Sequence, residues 1–322
     1  MSVVGTNGRL RLWPEIDSDY ANYRAAFHWA IESAGDSTLG LRFAAALYEY
    51  WETRGYFGEA KQLALAALAR APEPSSLRAR VLAIASLIIR WLGDQAHATA
   101  LLQESIALCD QLHDEDGLTF ALQHLGIQYG MQRDYAAAAR QFERALDIYR
   151  RKNKPDPLAS TLGNLGLALF RLQEYERART ALTEALAVNR ELGDLNAIAH
   201  NLQGLARIAR AQADWQQTEN LLRQALAAFK QIGHQRSLGH ALGEMGEVLI
   251  ECGQYSQGVR LVAAARSIHV ALGVQPDAQA ERERNATLDK ARHALGHAQV
   301  DRLLEEGSAL KLAAVWASLQ LA

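Results

Sequence analysis

One spacing constrains this chain more than any other property: small, aromatic and leucine positions return every forty residues. Between Thr161 and Asp194 the landmarks are Leu165-Gly166, Tyr175, Ala178 and Ala185. One step back stand Leu125-Gly126, Tyr135, Ala138 and Ala145; one step forward stand Leu205-Ala206, Trp215, Thr218 and Ala225, and then Met245-Gly246, Tyr255, Gly258 and Ala265. Recurrence in fixed register, at a period of about 20 to 50 residues, marks stacked supersecondary units that bury their apolar faces against one another. A length of 322 residues would otherwise suggest two domains of about 150 residues, but a stacked core can grow with length.

Each unit reads as two antiparallel helices. Leu162, Leu165 and Leu169 recur at helical spacing and face Leu182 and Leu186 of the next helix,. Gly166, Ala178 and Ala185 mark where the two helices cross too closely for a larger side chain. Short turns at Arg133-Asp134, Gln173-Glu174, Ala213-Asp214 and Gly253-Gln254 join the helices. Asp134 and Asp214 are placed to cap the following helix. Asn153, Gly193, Gly233 and Gly273 close the second helices because these residue types tolerate a left-handed backbone. Pro157 is read as the first helical position of the fourth unit. The fold class is therefore all-α, a right-handed α-solenoid of antiparallel helix pairs. A lead-in covers 1–16, a capping helix 17–36, six repeats 37–273 and C-terminal capping helices 274–322. The capping helix starts at Asp17, Ser18 or Asp19 and turns Tyr20, Tyr23, Phe27, Trp29 and Ile31 toward the first repeat.

Beyond Gly273 the period stops. The spacing predicts a helix over about 277–295, a shorter one over 298–306, and a last one from Ala309 to Leu321 with Ser308 as its N-cap. This last segment is apolar on nearly every side, which fits either a cap over the final repeat or self-association. No run of 18 to 20 apolar residues could span a bilayer, and MSVVGTNGRLRLW lacks the apolar core of a secretion signal, so no membrane partner is expected. With 34 basic and 36 acidic residues, no overall field draws the chain to nucleic acid. Cys109 and Cys252 fall in distant repeats, which argues for free thiols and a cytoplasmic setting.

The order L-x2-L-G-x2-[Y/L], then A-x3-[F/L] and A, is clearest in Leu122, Leu125-Gly126, Tyr129, Ala138, Phe142 and Ala145, and resembles the tetratricopeptide repeat. The unit is longer than the family's ~34 residues, and the closing proline is present only at Pro72. The longer unit resembles the C-terminal repeat module of prokaryotic STAND-class signal-transducing NTPases and of LuxR-type regulators. Asn22, Arg24, Ala25, Ala26, Trp29 and Ala30 are similar to the helix that opens such modules, and Ala291 to Leu319 to the segment that closes them. The resemblance implies a non-catalytic scaffold for protein interaction and ligand sensing, with binding on the first helices, which line the concave face. A free-standing peptide receptor and a structural assembly adaptor remain alternatives.

No phosphate loop, H-E-x-x-H, G-x-S-x-G or G-x-G-x-x-G occurs, so neither an enzyme nor a cofactor is expected. The candidate contact surface comprises Arg80, Arg90, Trp91, Phe120, Gln123, Phe170, Arg171, His200, Gln203, Arg207, Arg210 and His240. Guanidinium forks could hold carboxylates and the rings could hold apolar anchors, which suggests a protein or peptide partner bearing acidic groups. His200 and His240 occupy equivalent slots, open to mutual contact, but no second ligand pair supports a metal there. Cys109 and His113 give a similarly weak metal pattern.

Overall fold

The computed structural model describes residues 13–33, 35–274 and 278–319. Among them every regular element is a helix, sixteen in all. α1 (Trp13–Glu32) precedes six pairs: α2 (Leu39–Arg54) with α3 (Phe57–Arg70), α4 (Ser76–Trp91) with α5 (Gln95–Leu112), and α6 (Glu115–Met131) with α7 (Tyr135–Arg151). Then come α8 (Pro155–Arg171) with α9 (Tyr175–Leu192), α10 (Leu195–Ala211) with α11 (Trp215–Ile232), and α12 (Gln235–Glu251) with α13 (Tyr255–Ala271). α14 (Ala278–Leu295), α15 (His297–Ser308) and α16 (Leu312–Ser318) end the chain. The helices gather into two compact units, Met1–Lys152 and Asn153–Ala322, each a stack of helix pairs of the kind the spacing predicts.

The forty-residue grammar is written in the backbone. Gly93, Arg133, Gln173, Ala213 and Gly253, one between the two helices of each pair from the second onward, all have positive φ, from 58° to 89°. Asp94, Asp114, Asp134, Asp194 and Asp214 then cap the next helix, each carboxylate accepting from a backbone N–H three residues on, which satisfies one of the free amides there. His113, Asn153, Gly193, Gly233 and Gly273 turn left-handed at the ends of the second helices. Pro155, rather than Pro157, opens α8; Pro157 sits within the same first turn, where a missing N–H costs no helical bond.

Packing follows the small residues. A Cβ on Gly166 would lie 2.6 Å from Leu182 Cγ, and one on Gly126 2.5 Å from the Phe142 ring. Ala178 and Ala185 are fully buried. On α12 and α13 the backbones themselves meet: a Cβ on Gly246 would come within 2.7 Å of the Gly258 carbonyl.

Both ends of the chain differ from the sequence reading. α1 begins at Trp13, so residues 13–16 are helix rather than lead-in, while residues 1–12 lie outside the described ones. Asp17 does not cap this helix; it accepts from the Tyr50 hydroxyl at 2.8 Å and from Arg54. Phe27 is buried, but Trp29 and Tyr23 are exposed, so the aromatic face is narrower than expected. At the other end, α15 runs through Gly307 to Ser308. Gly307 presses on α13, where a Cβ would lie 2.4 Å from the Arg260 carbonyl; it is a packing residue, not a helix stop. Ser308 therefore caps nothing, and its hydroxyl donates to the Glu305 carbonyl. α16 starts only after Lys311. It buries Val315, Trp316 and Leu319 in one cluster with Leu222, Phe229 and Leu261 of α11 and α13. Gln257 donates to the Ser318 carbonyl at 2.8 Å, Arg223 donates to that of Leu319, and Lys230 lies over the Trp316 ring. No helix among the described residues is long and apolar enough to cross a membrane.

Candidate ligand-binding groove

In the C-terminal unit, α8 and α10 stand side by side as the first helices of consecutive repeats, with the α9 side chains Leu182 and Asn189 behind them. Between them opens a groove of about 490 Å³. Its floor exists because two slots carry glycine. A Cβ on Gly163 would meet Asn201 Oδ1 at 3.1 Å, and one on Gly204 would meet Leu182 Cδ1 at 2.9 Å. Leu167 and Phe170 form the apolar side, while Asp156, Asn164, Asp194 and Asn196 add polar groups.

Asn201 is the group that the sequence reading missed. Its residue is only 5% exposed, and its amide Nδ2 is buried without a hydrogen-bond partner. An unsatisfied buried amide costs about 1–3 kcal/mol, a penalty that an acceptor entering the groove would relieve. The signal was present in the repeat: the equivalent slots are Ala121, Thr161 and Ala241, so an asparagine breaks a row of small residues.

Of the expected contact residues, the groove brings together Phe170, His200, Gln203 and Arg207. Arg171, Arg210 and His240, also in this unit, do not line it. The arginines of α10 are less open than their spacing suggested. Glu244 of α12 accepts from Arg207 Nε at 2.8 Å and from Gln203 at 3.0 Å. Arg210 pairs with Glu247 at 2.6 Å, and Arg284 Nε reaches the same carboxylate at 3.1 Å. These forks hold the solenoid's own acids, so the expected carboxylate-binding patch at Arg207 and Arg210 is internally neutralised.

His200 and His240 have separate neighbours rather than each other. The His200 ring lies 5.0 Å from that of Phe229 and 6.2 Å from that of His234, while His240 stands 4.4 Å from His269. Burial holds both imidazoles below their usual basicity, with a nearby histidine adding to the effect, so they favour the neutral form. Among the described residues no three His, Cys, Asp or Glu side chains converge on a metal position. Burial, with Asp114 nearby, pushes the Cys109 thiol up to about 11, and His113 is taken up by the left-handed end of α5.

The remaining expected residues lie in the N-terminal unit. Arg80 is exposed on α4 and Arg90 half-buried. Trp91 is 60% exposed and stacks on Phe57. Phe120 and Gln123 are half-buried on α6, where the Phe120 ring meets that of His124 edge-on at 4.5 Å.

Comparison with known proteins agrees with this architecture. Models of the tetratricopeptide repeat match residues 121–157 and 157–231, and that of anaphase-promoting complex subunit 5 matches residues 43–129. Over 159 residues, 47% of the chain, it is 29% identical to proteins named as HTH-type transcriptional regulators of Mycobacterium bovis and Mycobacterium tuberculosis. The match spans 18% of the length of those relatives. Among solved structures, a signal transduction ATPase with numerous domains (STAND) carrying a tetratricopeptide repeat sensor, from Pyrococcus horikoshii, superposes with a TM-score of 0.61 at 14% identity. That superposition covers 93% of this chain and 48% of that one. A Rap protein complexed with competence and sporulation factor gives 0.55 at 15% identity, covering 98% of this chain and 91% of that one. Forty-residue helix pairs, small residues at the crossings and repeat models matching residues 121–231 identify tetratricopeptide repeats in this chain, whose fold is similar to that of a STAND protein with a tetratricopeptide repeat sensor.

Proposed function

We propose that the chain is a non-catalytic ligand-sensing scaffold, the sensor module of a STAND-type signalling or transcriptional regulator, and that the α8–α10 groove takes an extended peptide segment. The observation that carries this reading is the buried, partnerless amide of Asn201 beside a glycine-cut groove. An extended backbone offers the carbonyl acceptor this amide lacks, and Leu167 and Phe170 offer an apolar seat for a side chain. The mycobacterial regulators and the STAND sensor structure support the regulatory setting.

A second reading, a free-standing receptor for a peptide signal, is supported by the Rap complex, which is matched over nearly all of its own length. Both readings require the same groove. Selection of a random peptide library on the purified chain should yield ligands whose affinity falls about 3- to 10-fold in Asn201→Ala, the worth of one hydrogen bond. Ligands that bind Asn201→Ala and Gly163→Leu as well as the parent would place recognition elsewhere and discard this groove.

A further inference from the structure

Arg90, half-buried on α4, lacks the acid that the equivalent first-helix slot finds on α10. Arg210 finds its acid at Glu247 and Arg207 at Glu244, each 37 residues further on. Arg90 occupies the same repeat slot as Arg210, but 37 residues on stands Ile127, and 34 residues on stands His124. Among the described residues no carboxylate lies within ion-pairing distance of Arg90, and its Nη1 is buried without a partner. Glu52 of α2, the nearby acid, is engaged by the Tyr48 hydroxyl at 3.0 Å. His124 presents a second orphan, a buried Nδ1 with no partner, and the Phe120 ring fixes the plane of its imidazole.

Glu52 acts on Arg90 only from beyond ion-pair contact, and a half-buried guanidinium with no acid in contact is an unfinished ion pair. We propose that Arg90 and His124 form an oxyanion-binding subsite in the N-terminal unit, which takes a carboxylate of a ligand in the place that a repeat glutamate fills beside Arg210. Arg90 Nη1 donates to one oxygen, and His124 in its Nδ1–H tautomer donates to the other or to the same one. Burial and the Arg90 charge hold the His124 imidazole down at about 4. A bound anion offsets that charge, so it raises the basicity of His124, and binding tightens as pH falls. Arg90 is faced by Tyr48 and Glu52 of α2, and His124 by Arg90. The subsite is independent of the α8–α10 groove, and failure of one leaves the other standing.

The test titrates sodium acetate and, separately, inorganic phosphate into the full chain at constant ionic strength, with chloride as reference. The readout is the His124 Cε1–H NMR resonance from about pH 3.5 to 7, a range that spans its midpoint of about 4,. A saturable shift and a rise of the His124 midpoint by roughly one unit are expected with at least one anion. Acetate alone identifies a carboxylate ligand, and phosphate alone a phosphoryl group. Arg90→Gln should weaken the response at least tenfold. Ile127→Glu, which supplies the missing acid from within, should do the same without removing the arginine, and it decides the matter if Arg90→Gln does not fold by circular dichroism. No shift beyond chloride with either anion, or an undiminished response in folded variants, overturns the proposal.

Discussion

At the scale of single residues, the repeat separates positions that pack from positions that are free. Ala185 is fully buried on α9, while Ala187, two residues on, is exposed. Ala185→Leu should destabilise by about 1–3 kcal/mol through overpacking, and Ala187→Leu should change stability by less than about 0.5 kcal/mol. Urea denaturation of the two variants checks this, and equal effects would contradict the register. The same separation explains what was legible at the groove. Phe170, His200 and Arg207 stand on first-helix slots that are exposed or half-buried, whereas Gln203, reached by the same spacing, is only 5% exposed. Asn201 could not be found that way, because its slot is a core slot in the neighbouring repeats. The ion pairs of Arg207 and Arg210 belong to pairs of slots rather than to single ones, and the 37-residue offset to Glu244 and Glu247 stands in the sequence itself.

At the scale of the helix pair, period carries more information than residue type. Left-handed turns were foreseeable at Gly93 and Gly253, where glycine announces them. At Arg133, Gln173 and Ala213 nothing in the residue does so, yet φ is 64°, 63° and 58°. The neighbouring helices impose the turn, and a side chain there carries the left-handed strain. Ala213→Gly should therefore stabilise by about 0.5–1 kcal/mol net of the added freedom of the unfolded chain, measured by chemical denaturation. The period had stopped by α15 and α16, and there the reading slipped: Gly307 and Ser308 look like a helix boundary to local rules, while packing on α13 keeps them helical.

At the scale of the molecule, the all-α class and the helix pairs follow from the spacing, whereas the division into two compact units has no marker in it, since the register runs unbroken through Lys152. Buried histidines give the folded state a direction with pH. His124 titrates near 4 in the fold against about 6.5 in an unfolded chain. Above pH 6.5 it is neutral in both states and affects nothing. Below that, the unfolded chain binds the proton first, so stability is lost as pH falls, by about 2 kcal/mol between pH 7 and 5. His200, His240 and His269 shift in the same direction. The contribution of His124 is therefore read as the difference between wild type and His124→Gln in urea titrations at the two pH values. An identical loss in both proteins would contradict it.

The tie between α16 and the repeats has a consequence for how the C-terminal unit comes apart. Stacked repeats contact only their neighbours, so they can fray inward from a free end, one pair at a time. Here the last helix reaches back past α14 and α15, and Arg223 and Gln257 grip its carbonyls across 96 and 61 residues of chain. Peeling the end away must break contacts with α11 and α13 together. The strap turns what would be a zipper with a loose tab into a clasp, in which the fifth and sixth repeats and the tail open as one.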